Sequence, residues 1–367
     1  MIDRPPQAKY LLNVLRIISI AFWIVLFGGL SLKANAVSEE GVVSVVNGKL
    51  YRDDKPWVPK GVVLVGRLLP KQLHGDSHFA PLVKAAENFG SSELIGVKNF
   101  GADLVRFQVS QPGLNPTSKL FDPEYAGYVV TGVKLARSMG FTVLISMQWE
   151  SGSGSYHENN MPVSDTQNAW TTLIKVLPHD AGIMFELFNE PGLDEVPEAN
   201  WKIWQDNFQA LVFHLRKLET KNVLVVDGLH GAAVLTVDAP IIHDPLDKIV
   251  YAIHPYFNTS HIPYGPPHWN QYFGNFCSKN VCLVSEWNAG TFAGCINDIP
   301  SLSKALLSYL QNKNIGLVAW AFDYPNTLMI DNSFSKSTNF DGFTSCKDTK
   351  TIYGPGTMVH EYFNRFN

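Results

Sequence analysis

Two glutamates almost a hundred residues apart carry the first hint of chemistry. Glu190 stands near the end of Phe185 to Pro191, FELFNEP, and Glu286 stands near the end of Val281 to Asn288, VCLVSEWN. Each follows a short apolar run. A proline cannot donate to a sheet ladder, so Pro191 ends its strand and leaves Asn189 and Glu190 at the carboxyl end. Two buried strands that each deliver one carboxyl group to one rim suit the cleavage of a glycosidic bond. That reaction needs an acid for the leaving oxygen and a second carboxylate for the anomeric carbon. The acid must keep its proton, which takes a raised pKa. The nucleophile must stay ionised, which takes cationic and hydrogen-bonding neighbours.

Other strand ends offer those neighbours. Arg106, in LVRFQVS, is the only strand-end arginine, and its charge would favour an ionised Glu286. An Arg106→Ala protein is accordingly expected to stay folded and turn over more slowly. His254 and Tyr256, in VYAIHPYF, are two residues apart and share a face by strand alternation. Tyr256 could donate to Glu286, and His254 would lie nearer Glu190. Asn189 is placed to bond the hydroxyl next to the reacting carbon. Trp320, in LVAWAFDY, offers a flat face to a sugar ring, and Gln148, Trp149 and Glu150 end VLISMQWE. Trp149, Trp287 and Tyr324 read equally as core or as sugar platforms. Glu186 shares a face with Glu190 but lies deeper, and reads as a residue with a structural partner. Asp227 and Asp323 are strand-end caps or substrate contacts. His74 and His78 belong to a polar loop, and the chemistry needs neither a metal nor a cofactor.

The elements that must position these residues are eight short, β-branched runs. They are Val62 to Val65, Leu104 to Val109, Thr142 to Met147, Ile183 to Phe188, Val223 to Val226, Ile249 to Ile253, Val281 to Val284 and Ile315 to Phe322. Helical patterns lie between them at Pro123 to Met139, Asn200 to Leu218 and Leu302 to Leu310. Eight buried strands alternating with crossovers predict an α/β fold of the (β/α)8 barrel type, whose carboxyl face hosts chemistry. Before the barrel, VVSVV and KLY flank Asn47-Gly48, a strong hairpin signal, here expected to lid the bottom of the barrel. No linker or composition break divides residues 37–367, which read as one catalytic domain and a monomer.

The chain has 367 residues, 46% hydrophobic and 17% charged, enough for one large core. Its formal net charge of -4 and lack of a basic run argue against a nucleic-acid partner. Aromatic residues, at 12%, serve either a large core or sugar stacking. Arg4, Lys9 and Arg16 precede the apolar run Ile17 to Leu32, and Ala34 and Ala36 follow in cleavage-site positions. Residues 1–36 therefore read as a secretory signal, with an uncleaved membrane anchor as the alternative. Either way the folded part is expected outside the cytoplasm, secreted or periplasmic. Export makes disulfides plausible, and Cys277 with Cys282 and Cys295 with Cys346 is the favoured pairing of three possible ones.

VRFQV, FELFNEPG, VYAIHPYF and LVSEWNAG, in that order, resemble the signature stretches of glycoside hydrolase family 5, the cellulase-type family of clan A. The resemblance runs from the hairpin to the eighth strand. It implies a retaining mechanism with Glu190 as acid/base and Glu286 as nucleophile, supported by Arg106, Asn189, His254, Tyr256 and Trp320. The implied substrate is a β-linked polysaccharide or oligosaccharide, with endo-β-1,4-glucan cleavage as the first expectation. Mannan, xyloglucan, β-1,3-glucan, a glycolipid, or a non-catalytic carbohydrate-binding barrel are the alternatives. The chain departs from the family at Gln148-Trp149-Glu150, where relatives often carry a histidine, and at GVVLVGRL after the first strand, where they often carry an asparagine. Both differences fall where substrate subsites are built and leave the reaction class intact.

Overall fold

The computed structural model describes residues 40–148, 160–193, 198–257, 264–289, 299–338 and 354–365. The amino-terminal apolar run, Trp149, and the Cys295–Cys346 pair lie outside the described residues. Among the described residues no helix is long and apolar enough to cross a membrane.

Eight parallel strands close into a barrel: β4 (Lys60–Leu64), β5 (Leu104–Ser110), β6 (Thr142–Gln148), β7 (Ile183–Glu186), β8 (Leu224–Asp227), β9 (Ile249–Ile253), β10 (Cys282–Trp287) and β11 (Gly316–Ala319). They lie side by side in chain order, with β11 closing on β4. The eight apolar runs are these strands, and helices intervene as the sequence predicts. Tyr125–Ser138, Ala199–Lys217 and Ile299–Asn312 are three of those helices. Ala199–Lys217 buries Trp201, Trp204, Phe208, Leu211, Val212 and Leu215, the stripe that its 3.6-residue period sets out.

Strand alternation splits the apolar residues into two cores. Val63, Leu104, Leu144, Met184, Val225, Val250, Leu283 and Val318 fill the barrel. Val105, Phe107, Val143, Ile145, Val226 and Val284 point outward and meet the helices. Two helix tryptophans also pin the strand ends. Trp170 donates to the Leu187 carbonyl at 2.9 Å and Trp204 to the Asp227 carbonyl at 2.8 Å. Buried carbonyls that no ladder pairs are satisfied this way.

The expected hairpin is a three-stranded antiparallel sheet of β1 (Val43–Val46), β2 (Lys49–Arg52) and β3 (Lys55–Pro56). Asn47 and Gly48 have φ of 50° and 69°, which the two-residue turn requires. Asp53 and Asp54, at 53° and 60°, make a second such turn without a glycine. The sheet covers the amino end of the barrel. Arg52 Nη2 donates to the Gly140 carbonyl at 2.5 Å, Trp57 Nε1 to Asp103 at 2.7 Å, and Val43 N–H to the Ala181 carbonyl at 3.0 Å. Cys277 and Cys282 form the expected disulfide just before β10.

A buried charged group sits where the chain leaves β4. Arg67 lies 4.0 Å from the ring centres of both Phe89 and Tyr128. Asp323 accepts from the Val65 and Gly66 N–H groups at 2.9 and 2.8 Å and so caps this turn. Burial pushes the Glu93 carboxyl up to about 9, with the Asp323 charge adding to the effect and Arg67 opposing it. The folded state therefore holds a proton that the unfolded chain releases near pH 4.5. The stability that this proton represents is complete below pH 4.5 and is lost as pH rises toward 9. Glu93→Gln removes the titration. Its advantage over wild type in denaturant midpoints is expected to be small at pH 4 and to reach roughly 3 kcal/mol by pH 7. A difference that does not change with pH would show that Glu93 stays charged in the fold.

Candidate active site

The site lies at the carboxyl ends of the strands and is built around Arg106. This residue is fully buried and sits inside β5 rather than at its rim, beside Val63 and Leu144 of the neighbouring strands. Its guanidinium reaches four groups. Nε donates to Glu186 Oε2 at 2.5 Å and Nη1 to Glu286 Oε2 at 2.6 Å. Nη2 donates to Ser146 Oγ at 2.9 Å and to Asn189 Oδ1 at 2.8 Å. Burial works against the charge on Arg106, but the Glu186 and Glu286 carboxylates outweigh it and hold the group protonated.

Glu286 takes two further donors. Gln108 Nε2 lies 3.1 Å from its Oε2, and the Tyr256 hydroxyl lies 3.2 Å from Oε1. Burial and the Glu286 and Glu190 charges push the Tyr256 phenol well above its ordinary range, so it stays a donor. Regular alternation would not bring Glu286 here. Leu283 fills the barrel and Val284 points outward, which would turn Ser285 in and Glu286 out. The register with β11 slips between Val284 and Trp287: three steps along β10 oppose two along β11, from Leu317 to Ala319. This extra residue re-aims the strand, as bulges beside active sites do. Ser285 and Glu286 then both face the interior, and Trp287 is buried in the outer core against Phe257, settling it as a core residue.

Glu190 also reaches the site by backbone geometry rather than alternation. β7 ends at Glu186, and Glu190 adopts a left-handed φ of 51°. Asp227 Oδ2 accepts its N–H at 3.0 Å and fixes that turn. His254 Nδ1 lies 2.9 Å from Glu190 Oε1, and Nε2 lies 2.9 Å from Ser285 Oγ. His254 and Tyr256 share the inward face, as their spacing predicts. Burial opposes charge on His254, but its bonding to the acidic groups around it, Glu186 first and then Glu190, prevails and pushes it up to about 10.

One oxygen each of Glu190 and Glu286 and one ring nitrogen of His254 lie within 4.8 Å of one another. Glu186, Asp227 and His254 converge just as closely below them. Both sets have the ligand types for a cation, but Arg106 and His254 already supply positive charge within them. The Glu190 side chain is 18% exposed and that of Glu286 10%, whereas that of Glu186 is at 0%. Only the first two can touch a molecule in the cleft. Burial works against the Glu186 charge, yet Arg106 and His254 hold its carboxyl well below the usual range. Trp320 is partly exposed at the end of β11, its ring 5.3 Å from that of Tyr324. Gln148 is buried at an inward position of β6, and its Nε2 has no partner among the described residues. His74 lies 3.3 Å from the Leu69 carbonyl, in the loop region expected for it.

The family model for cellulase, glycosyl hydrolase family 5, matches residues 90–326. The chain belongs to glycoside hydrolase family 5. It is a glycosidase. No curated protein sequence matches it significantly. Solved structures share the family 5 barrel at low identity. The catalytic domain of a Thermobifida fusca endoglucanase in complex with cellotetraose has 14% identity and a TM-score of 0.62, covering 89% of this chain and 98% of that one. A Saccharophagus degradans β-glucanase in complex with cellotetraose has 19% identity and a TM-score of 0.60, with coverage of 84% and 93%. A Thermomonospora fusca β-mannanase in complex with mannotriose has 19% identity and a TM-score of 0.55, with coverage of 87% and 96%.

Sequence reasoning missed Gln108, Ser146 and Ser285 in this family 5 site, and left Asp227 undecided. Gln108 was within reach, because it stands two residues past Arg106 on one strand face. Ser285 was not, since its partner His254 comes from another strand.

Proposed function

We propose that this glycosidase is an exported enzyme that cleaves a β-linked polysaccharide, first of all β-1,4-glucan, by double displacement. Glu286 is the nucleophile and Glu190 the acid/base. The observation that carries this reading is the approach of Glu190 and Glu286 to within 4.8 Å, each with its own set of partners. A pair separated by roughly 5–5.5 Å leaves no room for a water between carboxylate and sugar, so the carboxylate itself attacks.

The neighbours divide the roles. Arg106, Gln108 and Tyr256 all donate to Glu286, which holds its carboxyl group in place for attack. Glu286 attacks the anomeric carbon as the glycosidic bond breaks, and Glu190 gives its proton to the leaving oxygen. Glu190, now a carboxylate, then takes a proton from water, which attacks the same carbon and releases Glu286. His254 holds the Glu190 carboxyl through both steps. Asn189 is oriented by Arg106 toward the hydroxyl beside the reacting carbon, and Trp320 supplies a ring face. Residues 37–367 form the catalytic part, and residues 1–36 direct it out of the cytoplasm.

β-1,4-Glucan is supported by the cellotetraose bound to two of the similar barrels, and β-mannan is the second reading because a third holds mannotriose. A reducing-sugar assay of the mature protein across soluble β-1,4-glucan, mannan, xyloglucan and β-1,3-glucan decides between them. The highest kcat/KM is expected on β-1,4-glucan. A preference for mannan would replace that substrate, and binding without product on every polymer would overturn the catalytic roles.

A further inference from the structure

We propose that Asp227 is a positioning residue for Glu190, acting through the Glu190 backbone as an uncharged carboxylic acid. The inference rests on the acid/base role given to Glu190 above.

Three observations converge on it. First, Glu190 holds a left-handed φ, which is strained for a residue with a side chain and needs an external restraint. Asp227 Oδ2 supplies that restraint by accepting the Glu190 N–H at 3.0 Å. Asp227 is itself fixed, because it ends β8 and its carbonyl accepts from Trp204 Nε1. Second, Asp227 Oδ2 lies 3.8 Å from His254 Nε2, while Nδ1 of the same ring bonds Glu190. Asp227 therefore bonds the Glu190 backbone and lies beside the ring that bonds its side chain, without reaching the cleft, since it is fully buried.

Third, the other Asp227 oxygen, Oδ1, is buried with no hydrogen-bond partner among the described residues, and so is Glu186 Oε1. These two fully buried carboxyl groups converge with His254 within 4.8 Å. Two carboxylates so close and so deeply buried cannot both ionise cheaply, so one keeps a proton. Arg106 bonds Glu186 directly and assigns the negative charge there. The proton falls to Asp227, whose carboxyl is pushed well above the usual range, first by burial and then by Glu186.

Asp227→Ala and Asp227→Asn test this on phenyl and 2,4-dinitrophenyl β-glycosides of the sugar that the polysaccharide panel identifies, with kcat/KM as the readout. Only the phenyl group needs a proton to leave. Asp227→Ala is expected to lose about 10–100-fold on the phenyl glycoside and under about 3-fold on the dinitrophenyl one, part of the 10²–10⁴-fold that general acid catalysis contributes. Asp227→Asn is uncharged and keeps an acceptor for the Glu190 N–H, so it is expected to restore the wild-type ratio of the two rates. Equal losses on both glycosides in Asp227→Ala would reduce the residue to packing, and wild-type values would remove its role. Asp227→Asn behaving like Asp227→Ala would show that a carboxylate is required. Glu190→Ala, run alongside, separates the two readings. If it lacks the leaving-group signature, the acid/base assignment fails. If it shows the signature and Asp227→Ala does not, the present inference alone fails.

Discussion

Glu286→Ala is expected to lose turnover on every glycoside, activated or not, by about 10⁵-fold or more, the scale of removing a nucleophile. No covalent intermediate can form without it. The cavity left beside Arg106, Gln108 and Tyr256 keeps its donors, which suits a small anion. Azide is therefore expected to enter and attack the anomeric carbon directly, giving the α-azide by a single displacement. Glu190→Ala fails differently. Its kcat/KM should fall about 10²–10⁴-fold on polysaccharide, whose leaving alcohol needs a proton, and little on a dinitrophenyl glycoside. The glycosyl-enzyme then waits for a general base that is missing. Azide needs none, so it should raise kcat and yield the β-azide, the product of two displacements. Product stereochemistry read by NMR distinguishes the variants. An exchange of the two outcomes would reverse the roles, and full activity in either variant would mean that the barrel does not use this pair.

Much of this arrangement was open to sequence reasoning wherever regular secondary structure carries the information. The eight β-branched runs gave the barrel, and NEP and SEW marked the two glutamates. His254 and Tyr256 followed from a period of two that continues Val250 and Ala252 past the end of β9. What stayed hidden depends on contacts between distant strands. Glu286 faces inward only because β10 carries one residue more than β11 across Val284 to Trp287. Glu190 is aimed by a left-handed backbone that Asp227 holds from the next strand. Neither feature leaves a local pattern, because each is fixed by a partner far along the chain. The depth of Arg106 was hidden for the same reason. The sequence showed an arginine near two glutamates but not that a third, Glu186, depends on it.

That third glutamate changes what Arg106→Ala should do. From the sequence, the variant is expected to remain folded and lose activity alone. In the structure Arg106 is fully buried and bonds the equally buried Glu186 as well as Glu286. Truncating it strands the Glu186 charge in the barrel with only His254 nearby, and breaking a buried pair in this way costs roughly 3–5 kcal/mol. Arg106→Ala is therefore expected to shift the denaturant midpoint markedly as well as to reduce kcat, since Glu286 loses its strongest donor. The two effects can be separated. Adding Glu186→Gln removes the stranded charge, so the double variant should regain much of the lost stability. It should regain little activity, because Glu286 still lacks its cation and Asn189 its anchor. Paired denaturation curves and kcat values for the wild type, both single variants and the double variant test this. A double variant no more stable than Arg106→Ala would mean that the cost lies in lost packing and not in the stranded charge. A double variant with wild-type turnover would mean that Arg106 serves the fold and leaves the charge on Glu286 to Gln108 and Tyr256.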